Sequence, residues 1–271
     1  MRRTGNELEG VLQRANDESV KFKYLRISSN EIAPGGTPYN FTVNFGNDAS
    51  MDRGAFITPV ACVCPNVANN VSAAIGNNVF LLTCTGTGVM YTAPDGFYSL
   101  SDLLANIVVY INSIKGAGYC VSSIVNNRAV LTVSGADFLA VGIINNPMAA
   151  TLGFLNNATG VSISASTVPS LSGATVLYIH SSSVANNATY LNTNTGGVQD
   201  VNGCFTLPMV KGFGVIESTM FESGNNQKLI LGCCGTPLRQ LKFTLRVNGG
   251  RLYTELTPNL EFVLVLKIFT L

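Results

Sequence analysis

The end of the chain constrains the fold more than any other stretch. Residues 238–270 read LRQLKFTLRVNGGRLYTELTPNLEFVLVLKIFT. Leu241, Phe243, Leu245 and Val247 alternate with Lys242, Thr244, Arg246 and Asn248. A period of two marks a strand with one buried face. Asn248-Gly249-Gly250 follows, and Asn-Gly is the strongest short hairpin signal, because a tight primed turn needs positive φ at both central residues. A return strand is expected through Leu252, Tyr253, Thr254 and Glu255, then a turn at Thr257-Pro258-Asn259. Phe262 to Phe269 is apolar apart from Lys267. That pattern predicts a central strand, covered on both faces, of an antiparallel β-sandwich.

Earlier strands fit the same design. Phe22, Tyr24 and Ile27 open the first; Tyr39, Phe41, Val43 and Phe45 alternate in the next; Phe56–Val67 follows, bent or ended near Pro59 and Pro65. Strands resume at Val176–His180, Cys204–Leu207, Gly214–Thr219 and Lys228–Leu231, with a polar loop across 183–203. Residues 1–21 are polar with weak helical spacing and read as an arm, either a free tail or one that docks on a neighbouring subunit.

Between the two sets of strands the pattern changes. Val79–Thr83 and Val89–Thr92 pair as strands. Ser99 caps a helix in which Leu100, Leu103, Leu104, Ile107, Val108 and Ile111 share a face, Asp102 favours its positive end, and Lys115-Gly116 end it. Two strands, Cys120–Val125 and Ala129–Val133, turn at Asn126-Asn127. This is the one clear helix in the sequence. The expected organisation is an arm at 1–21, sandwich strands at 22–76 and 166–271, and an inserted small α+β subdomain at 77–165.

Charge limits the function classes. Only 11% of the 271 residues are charged against 46% apolar, and net charge is +1. About a quarter charged is usual for a soluble domain, so a surface this poor in charge points to burial in an assembly. No apolar run approaches the ~18–20 residues of a spanning helix, and no broad basic field suits nucleic acid. The start, Met1-Arg2-Arg3 and then Glu7-Leu8-Glu9, does not read as a secretory signal. Asn-Asn pairs recur and read as turn punctuation.

No catalytic, cofactor-binding or metal-ligating set emerges, and the chain does not read as an enzyme. The cysteines are seven, an odd number: Cys62, Cys64, Cys84, Cys120, Cys204, Cys233 and Cys234. With one His and no four-ligand spacing, they read as free buried thiols. His180 is read as a strand-edge residue, since no G-x-S-x-G elbow accompanies it. Asp95 and Asp102 read as turn and cap residues, and the Gly86 and Gly116 clusters as turns without a phosphate loop's Lys. Asn40, Asn70, Asn157 and Asn187 begin N-x-S/T sequons that chance explains in an Asn-rich chain. Lys242 and Arg246 form either a solvated face or a patch meeting an acidic neighbour.

Tyr91-Thr92-Ala93-Pro94-Asp95-Gly96-Phe97-Tyr98-Ser99-Leu100-Ser101-Asp102-Leu103, then Leu152-Gly153-Phe154, Leu177–Ser181 and Gly249–Lys267, occur in an order that resembles the penton or minor capsid proteins of the polinton, virophage and giant-virus lineage. The likeness spans roughly residues 22 to 269. It implies an antiparallel jelly-roll sandwich, a homopentamer closing five-fold vertices of an icosahedral virion, and neighbours that include a double jelly-roll major capsid protein and other minor capsid proteins. Assembly in host cytoplasm or a viral factory would follow. The alternatives are a minor capsid protein under or between capsomers, or a receptor- or carbohydrate-binding head that uses the insert.

Overall fold

The structure, a computed structural model, describes residues 22–32, 35–44, 56–181, 189–192, 197–200, 204–220, 231–232, 240–247 and 250–269. The expected arm, most of the 183–203 loop, Cys233, Cys234, Asn187 and the Asn248-Gly249 turn lie outside these. Strand predominates over helix among the described residues. The chain divides into two compact units: residues up to Asn66 together with those from Thr175 onward, and Val67–Ala174. The range 77–165 falls inside the second.

In chain order the first unit begins with β1 (Phe22–Ser28), β2 (Asn40–Asn44) and β3 (Phe56–Pro65). The second unit holds β4 (Val79–Cys84), β5 (Thr87–Thr92), α1 (Leu100–Lys115), β6 (Cys120–Val125), β7 (Arg128–Val133), β8 (Leu139–Val141), α2 (Pro147–Thr151), β9 (Ala158–Gly160) and β10 (Ser162–Ser164). The first unit then resumes with β11 (Val176–Ser181), β12 (Thr189–Asn192), β13 (Gly197–Asp200), β14 (Cys204–Pro208), β15 (Ile216–Met220), β16 (Leu231–Gly232), β17 (Gln240–Val247), β18 (Arg251–Leu252) and β19 (Val263–Phe269).

Two antiparallel sheets build the first unit. One runs β1-β19-β3-β15, with β16 also on β3; the other runs β14-β11-β17, with β2 and β18 sharing the far edge of β17. Each sheet has five strands, drawn from both ends of the unit's sequence, and the two form the jelly-roll sandwich. Alternation supplies the core. Ile27, Cys62, Leu264 and Leu266 point inward from the first sheet, and Phe41, Phe243, Leu245, Ile179 and Leu207 from the second; all are buried. The Phe41 ring sits 5.6 Å from Phe243 and 6.2 Å from Phe262, which joins the aromatic cores of the two sheets. Pro59 cannot donate to a ladder, and the register of β3 against β19 shifts beside it, between Val265 and Leu266.

Two expectations for the C-terminal strands are corrected. β19 is central, flanked by β1 and β3, but only one of its faces is fully buried. Leu264 and Leu266 are covered, whereas Val263, Val265 and Lys267 remain half-buried on the outer side. The return strand after Gly250 ends at Leu252 rather than reaching Glu255. Tyr253 turns fully into the core instead, where its hydroxyl donates to the Pro65 carbonyl at 2.5 Å. Arg251 closes the turn by pairing with Glu255 at 2.7 Å.

The second unit has its own core around Phe80, Leu103, Leu104, Ile107, Leu131, Leu139 and Phe154. Its sheets run β5-β4-β8-β9 and β10-β7-β6, and none of these strands pairs with a sandwich strand among the described residues. Ser99 caps α1: its hydroxyl accepts the Asp102 N–H at 3.1 Å and donates to the Asp102 carboxylate at 2.6 Å. The helix ends at Gly116, at φ 113°. A second, short helix, α2, was not expected; Pro147 stands in its first turn, where a missing N–H costs nothing.

The asparagines do two jobs. Asn126 and Asn127, at φ 52° and 59°, make the primed turn between β6 and β7. Others act as braces. Asn146 donates to the carbonyls of Leu81 (2.6 Å) and Gly142 (2.8 Å) and accepts the Leu81 N–H, so its amide replaces a strand partner where β8 parts from β4. Asn112 of α1 binds both the N–H and the carbonyl of Cys120 on β6. Asn70 accepts the Tyr98 N–H and donates to the Tyr98 and Leu171 carbonyls.

Gly153 is required where it stands. It sits at φ 89°, and a Cβ there would lie 2.3 Å from the Thr167 carbonyl oxygen, while its own carbonyl takes the Thr167 N–H and the Ser166 hydroxyl. Left-handed backbone costs a non-glycine residue roughly 1–2 kcal/mol, and overpacking typically about 1–3 more. Gly153→Ala is therefore expected to destabilise the second unit by at least about 2 kcal/mol. Calorimetry should show a melting transition lowered by roughly 8 °C or more, whereas Gly142→Ala, with open space around it, leaves it nearly unchanged.

Candidate interaction surfaces

Among the described residues no group of three or more His, Cys, Asp or Glu is placed to hold a metal. Cys62, Cys64, Cys84 and Cys120 are free and buried. Burial pushes the Cys62 and Cys64 thiols well up from the ordinary value, and Cys120 up to about 11, with Cys84 nearby adding to the shift. Such thiols are poor nucleophiles. His180, on β11, has its pKa lowered by burial and by the Arg246 guanidinium. Asp95 accepts the Ala73 N–H at 2.8 Å, a turn contact. The Asn70 sequon is buried and its side chain is fully engaged as a brace, which removes it as a glycan acceptor.

The features with interaction capacity are surfaces. On the outer side of the sheet β1-β19-β3-β15, the ladder sets Val263 beside Val63 and Val265 beside Ala61, with Met220 next in that row and Ile216 at the start of β15. Met220 is 68% exposed and Ile216 56%. The margin at β1 is polar: Arg26 spans Glu31 at 3.3 Å and Glu261 at 3.0 Å, all exposed. On the other outer side, Lys242, Thr244 and Arg246 face outward from β17, as expected from the sequence, and the ladder sets Arg246 beside Tyr178 and Thr244 beside His180.

The connection between β14 and β15 is a largely apolar loop held by side-chain hydrogen bonds. Val210, Phe213 and Val215 are exposed on it. Buried Glu217 accepts the Val210 and Lys211 N–H groups at 3.3 and 3.0 Å, and Asn66 donates its amide to the Lys211 carbonyl at 2.7 Å. Sequence reasoning passed over both residues. A lone Glu amid apolar alternation, at the inward position 217, is the signal that was available.

In the second unit the charged side chains are Asp95, Asp102, Lys115, Arg128 and Asp137. Its surface is otherwise Asn, Ser, Thr and Gly with scattered apolar groups, Ile144 the most exposed at 80%. A shallow groove of about 370 Å³ opens on β4, β5 and the chain after β8, lined by Leu81, Met90, Ala140 and Ile144 among others.

A jelly roll interrupted once, between its third and fourth strands, by a compact α+β unit is the class that this fold defines. No protein-family model matches the chain, and no curated protein matches it. Solved structures do. The crystal structure of the mavirus penton protein, labelled with selenomethionine, superposes with a TM-score of 0.56 at 10% identity, over 93% of this chain and 100% of that one. The cryo-EM structure of the Sputnik virophage aligns at 11% identity over 92% of this chain and 97% of that one, with a TM-score of 0.44.

The thiols give a test of the core. Iodoacetamide at pH 8, followed by peptide mapping, should leave Cys62 and Cys64 unmodified in native protein and label them after unfolding. The raised pKa also sets a pH dependence. Below the ordinary value of 9.0 both states hold the Cys120 proton, so its contribution to stability is fully present. Between 9.0 and about 11 the unfolded chain loses that proton while the fold retains it, and the contribution is lost. The melting temperature should fall across that window, less steeply in Cys120→Ala.

Proposed function

We propose that the chain is a structural subunit of an icosahedral virion, a penton protein forming a homopentamer that closes the five-fold vertices. The observation that carries this reading is the extent of the fold likeness: it takes in the whole mavirus penton protein and 93% of this chain, so the inserted unit matches along with the jelly roll. Low charge supports it, because subunit contacts hide surface that water would otherwise have to wet. The partners are its own copies, a double jelly-roll major capsid protein and other minor capsid proteins. The protein resides in the virion, after assembly in host cytoplasm or a viral factory, and it does no catalysis. Cofactors and metals have no part in this role.

A second reading concerns the Val67–Ala174 unit, proposed as an inserted subdomain that meets a host receptor. The observation in its favour is a surface with few charges and many hydroxyl and amide groups.

Mass photometry of the purified protein should show a species of five times 28.6 kDa, and negative-stain images should show rings. Co-expression with the major capsid protein should place the chain in particles. Monomer at every concentration, with no incorporation, defeats the reading.

A further inference from the structure

We propose that the buried carboxylate of Glu217 and the side-chain oxygen of Asn66 form a site for one monovalent alkali cation, beneath the loop from β14 to β15. The ion steadies the fold of the first unit and has no part in ring closure.

The first observation is a buried charge without a counter-charge. Glu217 is 2% exposed. Its carboxylate accepts the N–H groups of Val210 at 3.3 Å and Lys211 at 3.0 Å, and none of the ion pairs among the described residues includes it. The ammonium of Lys211 is exposed and donates instead to the Ile216 carbonyl at 2.9 Å. Across the ladder stands Cys64, whose thiol is held protonated by burial, then by Cys62 and Glu217 nearby. Buried charges are otherwise paired or bound to a metal ion.

The second observation is an oxygen without a donor. Asn66 is 5% exposed. Its Nδ2 donates to the Lys211 carbonyl at 2.7 Å, which fixes the amide, and its Oδ1 is buried with no partner among the described residues. Asn66 stands one residue past the ladder pairs Cys64–Glu217 and Pro65–Ile216, with its N–H on the Val215 carbonyl. Burial alternates through Cys62, Cys64 and Asn66, so Asn66 shares the inner side with Glu217. The two are diagonal neighbours, with Cβ atoms about 7 Å apart or less. Both side chains also grip Lys211, one by its N–H and the other by its carbonyl. A hard cation holds oxygen ligands at roughly 2.3–2.6 Å, so one ion spans two oxygens on the order of 5 Å apart.

The donor set and its charge select the class of ion. Carboxylate and amide oxygens suit hard cations, and neither a His nor an ionised thiol is present to favour a transition metal. With a single carboxylate, a divalent ion would leave a net positive charge in a buried place, which is costly. A monovalent ion leaves none.

Melting in different salts tests the site. At about 150 mM salt, the wild-type melting temperature is expected to be higher in sodium or potassium chloride than in choline chloride, whose cation is too large to enter, by at least about 3 °C. The gain should saturate with salt. Glu217→Gln should melt alike in all three salts, because its amide removes the charge and supplies Asn66 Oδ1 with a donor. Asn66→Asp adds a second carboxylate and should pass to divalent ions, its own melt rising with about 1 mM calcium. With wild-type protein alone, sodium NMR should show line broadening that potassium displaces. Wild-type melts that are the same in every salt, or a difference that Glu217→Gln retains, overturn the site. Neither readout depends on oligomeric state, so the ring-forming role is left standing by either result.

Discussion

The position of β19 between β1 and β3 is the constraint on which the sandwich depends. Its seven residues pair on both edges, with Phe22–Phe269 at one end of the β1 ladder and Ser28–Val263 at the other. β19 therefore joins β1 to β3. β3 in turn carries β15, so without β19 that sheet falls into two pieces. Such a contact is between residues far apart in sequence, and its loop-closure entropy is met only when β19 docks between β1 and β3. Side-chain burial compensates: Leu264, Leu266 and Phe262 are covered, and Phe262 reaches Phe41 of the opposite sheet.

This architecture was legible where one face is buried and the other wet. β17 could be read residue by residue, because Leu241, Phe243, Leu245 and Val247 alternate with polar neighbours and are all buried. α1 was legible in its period and in Ser99, a hydroxyl at the point where a helix start needs an acceptor. What could not be read was the outcome of a tertiary choice. Nothing local says that Tyr253 leaves the strand pattern to meet Pro65, because the partner lies 188 residues away. Nor does the pattern of β19 distinguish burial within one chain from burial between two; both ask for the same apolar residues.

The candidate surfaces were legible only in part, for a related reason. Lys242 and Arg246 were visible as a pair on one strand face, but Tyr178 and His180 join them through the register of β11 on β17, which a sequence does not print. The braces were hidden in plain composition. Asn70, Asn112 and Asn146 look like the Asn of turns, yet each satisfies a backbone group at a place where the ladder or helix gives out. Amides suit this task, since one side chain both donates and accepts. A charge-poor chain relies on them because it has few ion pairs to use, and exposed ion pairs contribute little in any case.

The insertion itself has a physical explanation within the sandwich. Asn66, the last residue before the second unit, donates its N–H to Val215 and accepts the N–H of Gly214; Thr175, the first after it, accepts the N–H of Met209. The exit and the return are thus fastened to one connection, the loop from β14 to β15. That loop is fixed from beneath by the buried carboxylate of Glu217. A chain whose two ends are held at one anchored loop can carry a folded unit between them without perturbing either sheet, which is the condition for tolerated insertion. The cost falls on Glu217. A carboxylate buried beside Cys64 must keep its two N–H donors, because an unpaired charge in that position is strongly unfavourable. A change at residue 217 therefore loosens the loop to which Asn66 and Thr175 are fastened.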